Sequence, residues 1–259
     1  MITETAKYGE MKMEGVYKVY GSLVSLADCS FDIPRGKFTC LVGPSGSGKS
    51  VLVRLLAGYE IPDGGTVTID GERVSKPGPD RIVVFQESAL LPWKTLMENT
   101  IFGPVIEHKL SIEESKRRAQ ILIDKSGLTG FENKYPFQLS GGMQRRAEVI
   151  RVLINEPRIM LMDEPFRGLD AMTRQIMQEY VIKMYEETGM TILFITSEID
   201  EAIYLGDRVY FLTLRPGKIK HQMDIDLPRP RKYHTLTSNE FFRLRADAID
   251  TVMGEVEEH

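Results

Sequence analysis

Five short runs of nearly continuous apolar residues punctuate the chain: Phe38 to Val42, Ile82 to Phe85, Ile159 to Met162, Thr191 to Ile195 and Val209 to Leu214. Such runs read as strands buried on both faces, the pattern of a parallel sheet rather than of a half-exposed one. Helical patterns lie between them, so the expected class is α/β. Before Phe38 apolar and polar residues alternate, and Thr66 to Ile69 followed by Asp70-Gly71 reads as a hairpin. An antiparallel β patch is therefore expected beside the parallel core.

From about Ser88 to Pro157 the pattern changes and no convincing strand appears. Ser111-Ile112-Glu113-Glu114 reads as a capping box before a helix from Glu113 to Lys125 that stops at Gly127. The interval is expected to be a helical lobe inserted between two strands of the core. Asp170 is expected to cap a helix that runs to Thr188 and ends at Gly189. Past Leu227, Pro228-Arg229-Pro230-Arg231 breaks the pattern, and a terminal amphipathic helix is expected from about Ser238 to Val256. The expected division is a core of residues 10–87 and 158–227, a helical part of 88–157, and an extension of 228–259.

Composition narrows the function class. With 259 residues, 42% of them apolar, the chain can bury a substantial core. A formal charge of −4 argues against an electrostatically driven nucleic-acid binder, and no nucleic-acid partner is expected. Cys29 and Cys40 stand at neither metal-ligand nor redox-motif spacing, which points to a reducing cytosolic compartment. The N-terminal residues lack a signal-peptide apolar core, and no apolar stretch reaches membrane-spanning length. Work at a membrane would then go through a partner.

The chemistry sits at the ends of the apolar runs. Gly43-Pro44-Ser45-Gly46-Ser47-Gly48-Lys49-Ser50 follows a strand and opens a helix from Ser50 to Ala57, with Val51 just behind it. Glycines at 43, 46 and 48 let backbone N–H groups turn inward toward phosphate oxygens, and the helix N-terminus adds its partial positive charge. Lys49 suits the β- and γ-phosphates, and the Ser50 hydroxyl suits Mg²⁺. The strand Ile159 to Met162 ends in Asp163 and Glu164. Asp163 is placed to serve the metal's water shell, and Glu164 to polarise an attacking water as a general base. A second phosphate-like element, Ser140-Gly141-Gly142 in Leu139-Ser140-Gly141-Gly142-Met143, opens another helix. It is either an anion site or simply the N-cap of its own helix.

The ordered set GPSGSGKS, Gln86, LSGGM, IMLMDE and Leu169-Asp170 resembles the nucleotide-binding subunits of ATP-binding-cassette transporters over nearly the whole chain. The resemblance implies a P-loop NTPase core, RecA-like with a mainly parallel sheet, carrying the antiparallel β patch and the inserted helical lobe. It also implies a head-to-tail dimer that sandwiches ATP and Mg²⁺ between the Lys49 loop of one copy and the Ser140 helix of the other. Tyr20 would stack on adenine, or else be an ordinary strand tyrosine. Gln86 would touch Mg²⁺ or water, making Ser50, Gln86 and Asp163 the metal set and Glu164, Gln86, Lys49 and Ser197 the catalytic set.

The segments Phe85 to Trp93, Lys134-Tyr135-Pro136 and Leu227 to Arg231 resemble the importer branch for nitrate, sulfonates, taurine and bicarbonate. Leu90, Leu91 and Trp93 would then lie in the groove that receives the permease, with a buried core contact as the alternative for Trp93. The implied protein is a peripheral ATPase subunit on the cytoplasmic face of the cell membrane, energising import of a small organic or inorganic anion. Its partners would be a second ATPase subunit, membrane permease subunits and, indirectly, a periplasmic or extracellular substrate-binding protein. A weakly hydrolytic, nucleotide-gated subunit, or an ATPase of lipid trafficking or export, is the alternative.

Three departures from that family stand out. Ser197 occupies the place of the usual switch histidine, and the histidines at 108, 221, 234 and 259 lie elsewhere, expected in solvent. Phe166-Arg167-Gly168 precedes Leu169-Asp170 where a small polar residue and alanine are common; Arg167 is either a cation for the shared site or an interface residue. The signature continues as Met143-Gln144-Arg145-Arg146, where Gln-Arg usually falls one position later, and Ala147-Glu148-Val149-Ile150-Arg151 stands in place of the small, alanine-rich helix usual there. Glu148 and Arg151 are spaced to pair on its surface.

Overall fold

The computed structural model describes residues 8–253. From the N-terminus, β1 (Met11–Tyr20) and β2 (Leu23–Ile33) precede β3 (Phe38–Val42), which leads into α1 (Lys49–Ala57). A hairpin of β4 (Gly64–Ile69) and β5 (Glu72–Arg73) is followed by β6 (Arg81–Val84). Then come α2 (Leu96–Ile106), α3 (Ile112–Lys125) and α4 (Gly141–Leu153), before β7 (Ile159–Asp163). The order ends with α5 (Ala171–Thr188), β8 (Thr191–Thr196), α6 (Ile199–Leu205), β9 (Arg208–Leu212), β10 (Ile219–Asp224) and α7 (Asn239–Met253).

All five apolar runs enter one six-stranded sheet of order β10-β9-β3-β8-β7-β6, in which only β10 runs antiparallel to its neighbour. The alternating N-terminal segment and the hairpin form a separate antiparallel sheet, β2-β1-β4-β5. This is the α/β fold expected, a RecA-like core with a β patch and helical insertions.

Within the apolar runs the period of two survives and sorts residues between two cores. Phe38, Cys40, Met160, Met162, Ile192 and Phe194 face the cluster built with α5, α6 and α7. Leu41, Ile159, Leu161, Leu193 and Ile195 face the cluster built with α1 and the antiparallel sheet. The parallel sheet is thus covered on both faces, which is why its strands read as continuous hydrophobic runs.

Between β6 and β7 the described residues contain helices and no strand. Leu90, Leu96, Ile123, Leu128, Ala147 and Ile150 form their own small core. Ser111 caps α3 by accepting the Glu114 N–H at 3.2 Å, so the helix begins one residue earlier than expected. The Glu114 carboxylate turns instead to Arg117 and Arg118. A full capping box does form at α2, where Thr95 and Glu98 exchange bonds, a signal not read from the sequence. Asp170 caps α5 through the Thr173 N–H at 3.0 Å, and Gly189 ends that helix at φ +63°, both as expected.

The C-terminal extension is tied down by its arginines. Arg231 is only 4% exposed, and its guanidinium donates to the carbonyls of Ile203, Tyr204, Gly206 and Leu227, closing the end of α6. Burial pushes its pKa down to about 10. Arg229 pairs with Asp207 at 2.8 Å. Phe241, Leu244 and Ala248 of α7 join the core on that side. The helix spans Asn239–Met253 where Ser238 to Val256 was expected; the last of those positions, and His259, lie outside the described residues.

Candidate nucleotide site

The turn after β3 is built on left-handed glycines. Gly46 has φ +84° and Gly48, at the N-terminus of α1, has φ +96°. A Cβ on Gly48 would meet Leu26 Cδ2 at 2.9 Å, and one on Gly43 would meet Ser47 Oγ at 2.8 Å. The loop therefore demands glycine twice over, for conformation and for space. The Ser47 hydroxyl is fully buried and has no hydrogen-bond partner.

Lys49 is 6% exposed, and its three N–H donors are all engaged. Nζ donates to Gly43 O at 2.8 Å and Pro44 O at 2.9 Å, and pairs with Glu164 Oε1 at 3.2 Å. Glu164 sits just past β7 in the left-handed region, at φ +43°, with its N–H bonded to Ile195 O at 2.9 Å. That region is uncommon for a non-glycine residue, and from it the carboxylate lies back against the loop at Lys49. Its other oxygen accepts from Arg167 Nη1 at 3.0 Å, so two cations hold one carboxylate. Asp163, the last residue of β7, is buried. Burial, aided by the Glu164 charge, raises its carboxyl above the usual range, against the opposing hydrogen bond from Ser50 and the charge of Lys49.

One cleft of about 430 Å³ is lined by Tyr20, Ser45, Gly46, Gly48, Lys49, Ser50, Val51, Gln86 and Glu164. Nine residues singled out in the sequence thus converge. Three arginines join them: Arg54, Arg167 and Arg215, the last donating from Nε to Gly46 O at 3.2 Å. Arg167 had been read as a possible site cation, whereas no motif flags Arg54 or Arg215. With Lys49 the cleft carries four cations, a donor set suited to a polyphosphate. The glycine cradle, the orphan Ser47 hydroxyl and the Ser50–Asp163 pair fit a nucleotide triphosphate with its divalent cation.

Not every expected residue lines the cleft. Ser197 follows β8, is exposed, and is not among the residues lining the cleft. Tyr20 is 40% exposed; its hydroxyl bonds Glu60, and Lys18 Nζ lies 5.5 Å from its ring centre. Ser140, Gly141 and Gly142 do not line the cleft either. Ser140 Oγ accepts the Met143 N–H at 3.4 Å and caps α4, while a Cβ on Gly142 would meet Thr173 Cγ2 of α5 at 2.7 Å. Trp93 is 70% exposed, which removes the buried alternative, whereas Leu90 belongs to the small helical core. His108, His221 and His234 are exposed. Glu148 pairs with Arg145 at 2.5 Å, not with Arg151, because its carboxylate points inward to the segment after β6 rather than along the helix surface.

The chain matches the family model described as ABC transporter over residues 26–167. It is 42% identical to an ABC transporter ATP-binding protein of Methanocaldococcus jannaschii, over 95% of this chain and 92% of that protein. It is 41% identical to the nitrate import ATP-binding protein of a Synechocystis strain, over 92% of each. The aliphatic sulfonates import ATP-binding protein of Bacillus cereus is 36% identical over 92% of this chain and 94% of its own length. A solved dimeric structure of a bacterial ABC transporter cassette superposes with a TM-score of 0.74 at 30% identity, covering 84% of this chain and all of that one. Motif order, cleft geometry and these likenesses agree: the chain belongs to the ABC transporter family, as an ATP-hydrolysing nucleotide-binding subunit.

Proposed function

We propose that this ATPase energises an importer for a small anion, acting as a head-to-tail dimer on a membrane permease, at the cytoplasmic face and without spanning the bilayer. The observation that carries the reading is the split between the cleft and the Ser140 helix. Lys49, Ser50, Gln86 and Glu164 share one cleft, while Ser140, Gly141 and Gly142 are absent from its lining. Each chain would thus bring two half-sites, completed by a second copy. Relatives named for nitrate import and aliphatic sulfonate import align over about nine-tenths of the chain, which supports the cargo class. No helix among the described residues is long and apolar enough to cross a membrane.

In this reading residues 10–87 and 158–227 form the ATPase core, 88–157 the helical part that meets the permease with Trp93 exposed on it, and 228–259 the extension. Bound ATP and Mg²⁺ would supply the phosphoanhydride and the charge that draws its oxygens together. Gly43 and Ser45 to Ser47 would present N–H groups to the phosphates, with Pro44 shaping the loop and Gly48, Lys49, Ser50 and Val51 closing the cradle. Lys49 would exchange its carbonyl partners for phosphate oxygens, and Ser50, Asp163 and Gln86 would orient the cation or its water. Glu164, released by Lys49 and still held by Arg167, would take the proton of the attacking water. Tyr20 would offer its free ring face to the base.

The test is the reconstituted complex of this subunit with its permease and binding protein in lipid vesicles. Hydrolysis should rise several-fold when the binding protein is loaded with nitrate, a sulfonate or bicarbonate. Stimulation by none of these anions, with stimulation by lipid substrates instead, would overturn the importer reading.

A second reading, a weakly hydrolytic and nucleotide-gated subunit, draws on Ser197. Serine carries no charge near neutral pH and lies outside the cleft lining. The hydrolytic reading keeps Glu164, whose carboxylate Arg167 holds in place at 3.0 Å. Ser197→His in the reconstituted complex is expected to change turnover by less than about threefold, well short of the 10²-fold that a missing transition-state donor costs. A rise of 10²-fold or more would favour the weakly hydrolytic subunit.

A further inference from the structure

Three residues on one face of α4, at 145, 148 and 151, grip the segment that leaves the edge strand β6. Past Val84 that segment has no strand partner. Arg145 supplies one: Nη1 donates to Phe85 O at 2.6 Å and Nη2 to Gln86 O at 2.6 Å. Glu148 Oε2 accepts from Arg145 at 2.5 Å, and its Oε1 accepts the Ala89 N–H at 2.6 Å. Arg151 Nη1 donates to Ala89 O at 2.5 Å. Arg145 and Glu148 are 7% and 5% exposed, so this is a buried ion pair that directs two guanidinium nitrogens and one carboxylate oxygen at one backbone segment.

A buried ion pair adds little net stability compared with an apolar pair of similar size. What this one adds is direction. Gln86 lines the nucleotide cleft, and its carbonyl is bonded to α4, the helix that Ser140 caps and Gly141-Gly142 open. We infer that Arg145 and Glu148 are positioning residues that couple the two ATP sites of the dimer, by fixing Gln86 of one site to the Ser140 helix that completes the other. The inference rests on the proposed head-to-tail pairing. ATP captured by the Ser140 end of α4 shifts that helix, and the guanidinium fork carries the Gln86 backbone with it. Val149 and Val152 pack in one cluster with Val84, so the helix and the strand end are in contact along the same line. Nucleotide at one site then sets the position of Gln86 at the other, which is a coupling free energy between distinct sites.

The test compares the full-length chain with Arg145→Met, Glu148→Leu, a double change that removes both charges together and leaves no lone buried ion. Rates of ATP hydrolysis are measured across ATP concentration, with thermal midpoint and equilibrium ATP binding recorded in parallel. For the unaltered protein the Hill coefficient should lie clearly above 1, bounded at about 2 by two sites. In the double variant it should fall to about 1, with kcat reduced roughly tenfold and ATP binding per chain within about threefold of normal. Should the double variant fail to fold, Arg145→Lys decides: it keeps the charge but cannot span both carbonyls, and an intermediate Hill coefficient is expected. An unchanged Hill coefficient in a folded variant, or a value of 1 in the unaltered protein, would overturn the coupling. Lys49→Ala run alongside isolates the underlying reading, since its full activity would overturn the nucleotide site itself and leave the grip of Arg145 on Gln86 a packing feature.

Discussion

Lys49→Ala should abolish productive ATP binding while leaving the chain folded. Lys49 supplies charge-assisted donors at the floor of a cleft where it is 6% exposed, so its bonds are little diluted by water. Two such bonds to phosphate oxygens contribute about 3 kcal/mol or more, roughly 150-fold in affinity. The fold should survive because Glu164 keeps Arg167, at 3.0 Å, as its remaining cation. Equilibrium binding of a fluorescent ATP analogue, with a thermal melt as control, reads both halves of the expectation. Undiminished binding would show that the glycine cradle alone holds the triphosphate. Hydrolysis is expected to fall with binding, since nothing else in the cleft lining has a primary ammonium to place there.

Glu164→Gln should separate binding from turnover. The amide keeps the size of the carboxylate and its one oxygen can still accept from Lys49 or from Arg167, while the residue's own N–H keeps its bond to Ile195 O, so the loop geometry and its φ of +43° are expected to persist. What is lost is the ability to take a proton, an effect of about 10²–10⁴ in rate for a positioned general base. ATP affinity should stay within about threefold, because the phosphate contacts are made by the Gly43 to Ser50 loop. With sandwiching intact and hydrolysis stalled, dimers should accumulate in ATP and Mg²⁺ and be absent in ADP. Size-exclusion chromatography coupled to light scattering reads that contrast. Turnover within a factor of ten of normal would assign the base to another group.

The strands, the glycine loop and the carboxylates after β7 were legible because local sequence dictates them. Each apolar run had to be a doubly covered strand, and Gly46 and Gly48 had to take positive φ. What stayed hidden was contact between segments distant along the chain. Arg215 reaches Gly46 from the loop after β9, and Arg145 reaches Phe85 and Gln86 across about sixty residues; neither has a periodicity to betray it. Helical spacing suggested Glu148 with Arg151, but i,i+3 pairs form in both directions, and burial of the inward face chose Arg145. Strand ends shifted for a similar reason: Phe85 was expected in the strand, yet its carbonyl is taken by Arg145. The resemblance implies a groove position for Leu90, whereas the residue is buried in the small helical core, because apolar character does not say which side of a loop faces inward.

The measurement that tests the shared site most directly is complementation between two inactive chains. One carries Lys49→Ala, the other Ser140→Arg, which blocks the first turn of α4 with a bulky charge. Each alone should be inactive, because every site in its dimer lacks one half. Mixed in equal amounts, they should regain on the order of a quarter of normal hydrolysis, since half the dimers are mixed and each holds one intact site. A mixture as inactive as its parts, although mixed dimers form, would contradict the head-to-tail sandwich.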